Sequence, residues 1–202
     1  MALSSYAELQ DGIASWLMRE DLGGAIPSFI SLAEASMNRQ LRLRHMLKTA
    51  DVVIGDDGTS LLPDDFLEVR RMELDGEELP FLPPGQVGAY SAAWRGGRLR
   101  WYSLVGENLQ FTQSSGGSGT GTLLYYARLP ALSDQNPVNR VLLDAPDAYL
   151  YLSLAHSAPF LADDQRIAVW DTLAQASLNE LQSRDKQAEY PGPLVIRPTD
   201  AW

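Results

Sequence analysis

Residues 144–161 read Asp-Ala-Pro-Asp-Ala-Tyr-Leu-Tyr-Leu-Ser-Leu-Ala-His-Ser-Ala-Pro-Phe-Leu, and the fold turns on this stretch. Tyr149, Leu150, Tyr151, Leu152, Leu154, Phe160 and Leu161 place apolar side chains on nearly every side of a helix. A helix of that kind belongs at the centre of a core, because it has no polar face to give to water. Asp144 is the expected N-cap, and Pro146 suits the first turn, where its missing N–H costs nothing. Pro159 is expected to kink or end the helix.

A central helix needs others around it, and the sequence supplies them on both sides. Downstream, Asp163-Asp164 opens a last helix with Ile167, Trp170, Leu173, Ala174, Ser177 and Leu181 on one face. At the other end of the chain, Ser5-Tyr6-Ala7-Glu8 has the pattern of a capping box. Tyr6, Leu9, Ile13, Trp16 and Leu17 follow at helical spacing, with Gly23-Gly24 as the expected stop. Pro27 starts a second helix that buries Ile26, Phe29, Ile30, Ala33, Met37 and Leu41. Arg39, Arg42, Arg44 and Lys48 gather at its C-terminal end, where cations complement the helix dipole. Contact with a partner or with DNA is the other use such a cluster has.

Between the helical halves the texture changes to short β-type runs: Ala50–Ile54, Phe66–Leu74, Arg98–Val105, Asn108–Thr112 and Leu123–Ala127. Asp75-Gly76, Gly96-Gly97 and Gly106-Glu107-Asn108 mark hairpins or turns. Around Trp101 and Tyr102 the alternation is aromatic on both faces, which predicts a strand covered on both sides, with a neighbouring subunit as one candidate cover. Residues 80–93 read as a long irregular loop. The Ser/Gly-rich run 114–122 lacks the Lys and the following helix of a phosphate-binding loop, and reads as a flexible hairpin tip.

After Tyr190, Pro191-Gly-Pro-Leu-Val-Ile-Arg-Pro198 excludes a helix, and the chain runs on to Trp202. Leu194, Val195, Ile196 and Trp202 are too apolar for an idle tail, which is normally polar. The segment either folds back on its own domain or, as the preferred reading, docks on a partner as an added strand or groove peptide. The expected fold is α+β: a discontinuous helical bundle of about four helices, residues 1–48 and 128–186, carrying an inserted antiparallel β domain, 49–127, and an extended C-terminal arm, 187–202.

Chemistry is scarce. The 202 residues contain no cysteine, which excludes disulfides, thiolate metal sites and cysteine nucleophiles and fits a reducing cytoplasm. His45 and His156 are the only histidines, and His156 lies on the apolar helix, as a partly buried or interface residue would. Asp56-Asp57, Asp64-Asp65 and Asp163-Asp164 sit where turns and caps use acids, not on opposite sides of a scissile bond. No nucleophile elbow is present. No catalytic residue, cofactor or metal is therefore expected. No run approaches a membrane span and no signal peptide is expected at the N-terminus. A formal charge of −10 lacks the basic footprint of a nucleic-acid-binding domain.

The order of several segments is informative where each alone is not. Tyr6-Ala7-Glu8-Leu9-Gln10 and Ile26-Pro27-Ser28-Phe29-Ile30-Ser31-Leu32-Ala33-Glu34-Ala35 open the series. Leu62-Pro63-Asp64-Asp65-Phe66-Leu67-Glu68, Tyr125-Tyr126-Ala127-Arg128-Leu129-Pro130 and Leu132-Ser133-Asp134 continue it. Pro146-Asp147-Ala148-Tyr149-Leu150-Tyr151, Ala158-Pro159-Phe160-Leu161 and Asp163-Asp164 complete it. Collinear over most of residues 5–181, these segments resemble the head–tail adaptor (connector, or head-completion) proteins of tailed bacteriophages and phage-like particles. The resemblance implies a non-enzymatic virion protein at the head–tail interface, made in the host cytoplasm. It implies a ring, twelve copies in such adaptors, between the portal protein and the tail or nozzle proteins. Double-stranded DNA would pass through without specific binding, and no membrane is involved. It also assigns the C-terminal arm, with Leu194, Val195, Ile196, Arg197 and Trp202, to portal binding. The β-region aromatics Trp94, Trp101 and Tyr102 become a subunit or tail interface. The alternative is a soluble binding module, or a tail-associated protein, that recognises carbohydrate through those same aromatics.

Overall fold

The computed structural model describes residues 3–86, 101–111, 119–161 and 165–189. Among them are five α-helices and seven strands: α1 Tyr6–Leu17, α2 Ile26–Gln40, β1 Leu47–Ile54, β2 Thr59–Leu61, β3 Phe66–Leu74, β4 Glu77–Glu78, β5 Tyr102–Val105, β6 Asn108–Phe111, β7 Gly119–Ala127, α3 Arg140–Asp144, α4 Pro146–His156 and α5 Arg166–Glu189. The chain is α+β, divided into two compact units: 1–45 with 129–202, and 46–128.

In the helical unit, α4 packs against α1, α2, α3 and α5, the central place its all-round apolarity predicts. Ala148, Tyr149, Leu152 and Leu154 are buried, and Leu9, Ile13, Phe29, Ile30, Ala33 and Met37 meet them from α1 and α2. Burying each such large side chain is worth roughly 1.5–3 kcal/mol, so this shared core is the main support of the unit. Trp16 edges onto Tyr151, centroids 5.8 Å apart, and Phe160 onto Phe29 at 5.2 Å. The helix stops at His156, and Pro159 lies in the 3-10 turn Ala158–Phe160 that follows.

Several boundaries differ from the sequence expectation. α1 ends at Met18, which adopts the left-handed conformation (φ 53°), and not at Gly23-Gly24. A 3-10 turn over Glu20–Leu22 follows, and Leu22 is buried. Ser5 caps α1 by accepting from the Glu8 N–H, and the Glu8 carboxylate reaches back to Ser4 N and Oγ as well as toward the Ser5 backbone. Asp144 is not an N-cap: it ends α3, whose cap is Asn139, and pairs with Arg140 at 2.8 Å. In α5 the buried line is Trp170, Ala174, Leu178 and Leu181, while Leu173 faces solvent. That helix runs to Glu189, past residue 187 where an extended arm was expected. Lys186-Gln-Ala-Glu189 are good helix formers, and the first proline comes only at Pro191.

In the β unit, all pairing within the two sheets is antiparallel. One sheet has the order β1-β7-β3-β4, the other β2-β6-β5. Val52, Ile54, Met72, Leu123, Tyr125 and Ala127 of the first join Tyr102, Leu109 and Phe111 of the second in one apolar cluster. Asp75-Gly76 turns β3 into β4 with φ of 53° and 80°, a conformation that glycine adopts freely. β7 lies between β1 and β3, and at Gly121 a side chain would run into the Glu73 carbonyl and Met72. β1 pairs with β7 without interruption over all eight residues, whereas β3 carries two register shifts.

Candidate functional site

Of the residues singled out from sequence, Trp94, Leu194, Val195, Ile196, Arg197 and Trp202 lie outside the described residues, as do Asp163 and Asp164. Trp101 and Tyr102 are described, and both are 6 % exposed. Tyr102 packs its ring edge against Phe81 at 5.5 Å, and neighbouring Ser103 donates to the Leu82 carbonyl. Burial, then the Glu78 carboxylate, pushes the Tyr102 phenol up. The aromatic strand is thus covered on both faces within its own chain.

The basic cluster after α2 is largely engaged at home. Arg42 donates to the carbonyls of Asn38 (3.0 Å) and Leu41 (2.6 Å), closing the helix end. Arg44 meets Asp185 of α5 at 3.2 Å, and Lys48 meets Asp65 at 2.6 Å. Asp57 serves a turn, accepting from Thr59 N at 3.0 Å and Thr59 Oγ1 at 2.8 Å. His156 is half-buried; burial first, then Arg39, depresses its imidazole, against an opposing pull from Asp171. It lines an open cleft with Ser36, Asp171, Gln165 and Gln175, and the Ser36 hydroxyl accepts from Gln40 Nε2 at 3.1 Å. Among the described residues no three His, Asp or Glu side chains converge as metal ligands.

What does converge are two polar nodes, and neither was visible in the sequence. In the helical unit, the strap 129–139 that returns from β7 to α3 lies along α2. Asn38 Oδ1 accepts the Leu129 N–H at 2.8 Å, and one turn earlier Glu34 Oε1 accepts the Leu132 N–H at 2.7 Å. Tyr149 of α4 donates its phenol to the same Glu34 oxygen at 3.2 Å. Asn139 gives one amide hydrogen to Tyr149 Oη (2.6 Å) and the other to the Pro130 carbonyl (2.9 Å). Its own oxygen caps α3 by accepting from Leu142 N. The strap's far end is fixed by α1, whose Tyr6 N–H donates to the Pro137 carbonyl at 2.7 Å. Burial lifts the Glu34 carboxyl above its ordinary range, and the Leu132 and Tyr149 hydrogen bonds only partly oppose this. Burial and then the Glu34 carboxylate push the Tyr149 phenol up.

In the β unit the node is Asp65, just before β3. Its carboxylate accepts from Tyr125 Oη of β7 at 2.8 Å and Lys48 Nζ of β1 at 2.6 Å, and its backbone carbonyl takes the Arg128 N–H at 2.7 Å. Burial raises its carboxyl, but the Lys48 and Tyr125 bonds outweigh that and hold it below its ordinary value. Tyr125 is pushed up to about 12, by burial first and then by Asp65.

The segments that carried the resemblance are the ones that meet here. Glu34, Leu132 and Tyr149 come from three of them and close the helical node; Asp65, Tyr125 and Arg128 come from two others and close the β node. In both nodes the polar side chains hold the chain's own elements together. The family follows from comparison with known sequences: the family described as SU10 adaptor protein matches residues 4–197, and the chain belongs to it. It is a structural phage adaptor protein, a virion component, and the head–tail adaptor resemblance is of this kind. No curated protein sequence matches. Among the described residues no helix is long and apolar enough to cross a membrane.

Proposed function

We propose that the chain is the head–tail adaptor of a tailed phage or phage-like particle, forming a ring of twelve copies that joins the portal protein to tail or nozzle proteins. The observation that carries this reading is the family match over nearly the whole chain. A charge of −10 per copy supports a channel through which DNA passes without sticking, since phosphate affinity is built from Lys and Arg. The C-terminal arm, with Leu194, Val195, Ile196, Arg197 and Trp202, is the portal anchor. Trp94 belongs to the surface offered to neighbours or tail proteins. The carbohydrate reading is disfavoured, because two of its three aromatics, Trp101 and Tyr102, are buried.

Electron microscopy of the full chain mixed with its particle's portal tests this. Twelve-fold rings extending the portal are expected. A chain that leaves the portal bare, or a ring of different symmetry, overturns the corresponding part. Deleting residues 191–202 is expected to leave the fold intact and abolish attachment; unfolding on deletion would place the arm in the chain's own core.

A further inference from the structure

A buried carboxylate beside a countercharge is ordinary; among the described residues Glu34 has none. It is 6 % exposed, and its partners are a backbone N–H and a phenol, both neutral. From α1 the facing group is Tyr6, whose phenol is raised by burial, then by the carboxylates of Asp134 and Glu34. Asp134 is carried by the strap itself, so a second negative group lies near the same phenol. From α4 the facing group is Tyr149; on α2, the charge of Arg39 is felt at His156 and does not figure among the groups acting on Glu34. Asn38 and Asn139, which also hold the strap, do not titrate.

We propose that Glu34 makes the strap 129–139 a pH-responsive clasp, held firmly when its carboxyl carries a proton and loosened when it is ionised. Both forms can accept the Leu132 N–H through Oε1, so the contact itself survives the proton's loss. What changes is the cost of keeping an unpaired charge out of water, which lifting the strap relieves. The strap is the segment that leads from β7 to α3, and its contacts with α2 and α4 lie within the helical unit. The direction follows from linkage. Glu34 is raised in the closed state and ordinary in the open one, so the closed state binds more protons, and its advantage falls as pH rises from about 4.5 through the raised value.

The test is amide exchange at Leu132 in the isolated full chain, expressed as a protection factor so that the intrinsic pH dependence of exchange is removed. Protection is expected to fall with rising pH by up to about tenfold per unit within that window, then level off. In Glu34→Gln, which keeps the acceptor and removes the charge, it should be flat. A flat profile in the unmodified chain, or the same slope in the variant, overturns the clasp. Carboxyl titration of Glu34 by carbon NMR needs no variant: a midpoint at or below 4.5 also overturns it. No portal is present in either measurement, so the clasp and the adaptor reading fail independently.

Discussion

Glu34 in the helical unit and Asp65 in the β unit are both acids that accept a tyrosine hydroxyl and sit near a chain connection, yet they behave oppositely. Glu34 is buried, with the Leu132 N–H at 2.7 Å and Tyr149 at 3.2 Å, and its carboxyl is raised. Asp65 lies at the rim of its sheet, with Lys48 at 2.6 Å and Tyr125 at 2.8 Å, and its carboxyl is lowered. Desolvation pushes both upward; only Asp65 has a cation to reverse the sign. At the centre of the helical node, Glu34, Tyr149 and Asn139 are buried groups that must be paired because water does not reach them. The β node is partly open: the Asp65 and Lys48 side chains are within reach of water and can be solvated instead, although Tyr125 is itself buried. Removing a partner costs far more in the first setting than in the second.

The largest effect that breaks this comparison open is expected at Asn139, whose amide is fully employed: it caps α3, holds the Pro130 carbonyl and donates to Tyr149. Asn139→Ala loses a helix cap and strands one buried acceptor, Tyr149 Oη, while the part-buried Pro130 carbonyl can turn to water, together about 2 kcal/mol. Urea unfolding followed by helical circular dichroism should report it. A loss below about 1 kcal/mol would mean that water reaches the node, and the contrast with the β unit would collapse.

A matched pair sharpens the same contrast. Tyr149→Phe removes a hydroxyl that donates to Glu34 and accepts from Asn139, leaving both buried groups short of a partner, for about 2 kcal/mol. Tyr125→Phe removes a hydroxyl whose acceptor, Asp65, retains Lys48 and water, for about 1 kcal/mol or less. Protection of amides in α4 and in β7, compared variant by variant, measures each unit separately. Equal losses, or the reverse order, would show that burial does not set the scale.

What the sequence disclosed follows from which signals are local. The apolarity of α4 around its whole circumference marked it as central, and Asp75-Gly76 and Gly106-Glu107 marked hairpins, because periodicity and turn chemistry are written within a few residues. Asp144 misled: an acid before Ala-Pro looks like a cap, and only the preceding short helix, begun by Asn139, shows it to be a last residue. Leu173 was placed inward where Leu178 is the buried residue, since a helix with few apolar contacts has a weak period. The nodes were illegible for a plainer reason. Glu34 finds its partners 98 and 115 positions away, and a single acid on a helix face carries no mark of burial. The resemblance reached those segments as words in order, without saying that they touch.

The smallest effect is the most diagnostic. Asp65→Asn keeps an oxygen for Tyr125 and loses only the ion pair with Lys48, whose side chains are 36 % and 51 % exposed. An exposed pair of this kind is worth roughly 0.5 kcal/mol near neutral pH. The sign is that of a depressed acid: the stabilisation is present above the ordinary value of 3.8 and is lost as pH falls through the lower folded value. Below that point a protonated Asp65 is nearly an asparagine in shape and charge. The stability difference between the two proteins should therefore shrink toward zero on acidification, although both lose stability as their other carboxylates titrate. Taking the difference isolates the one group, and added salt should narrow it at neutral pH as well. A gap that widens in acid would show that Asp65 is held by something other than Lys48, and that the β unit too depends on a buried acid.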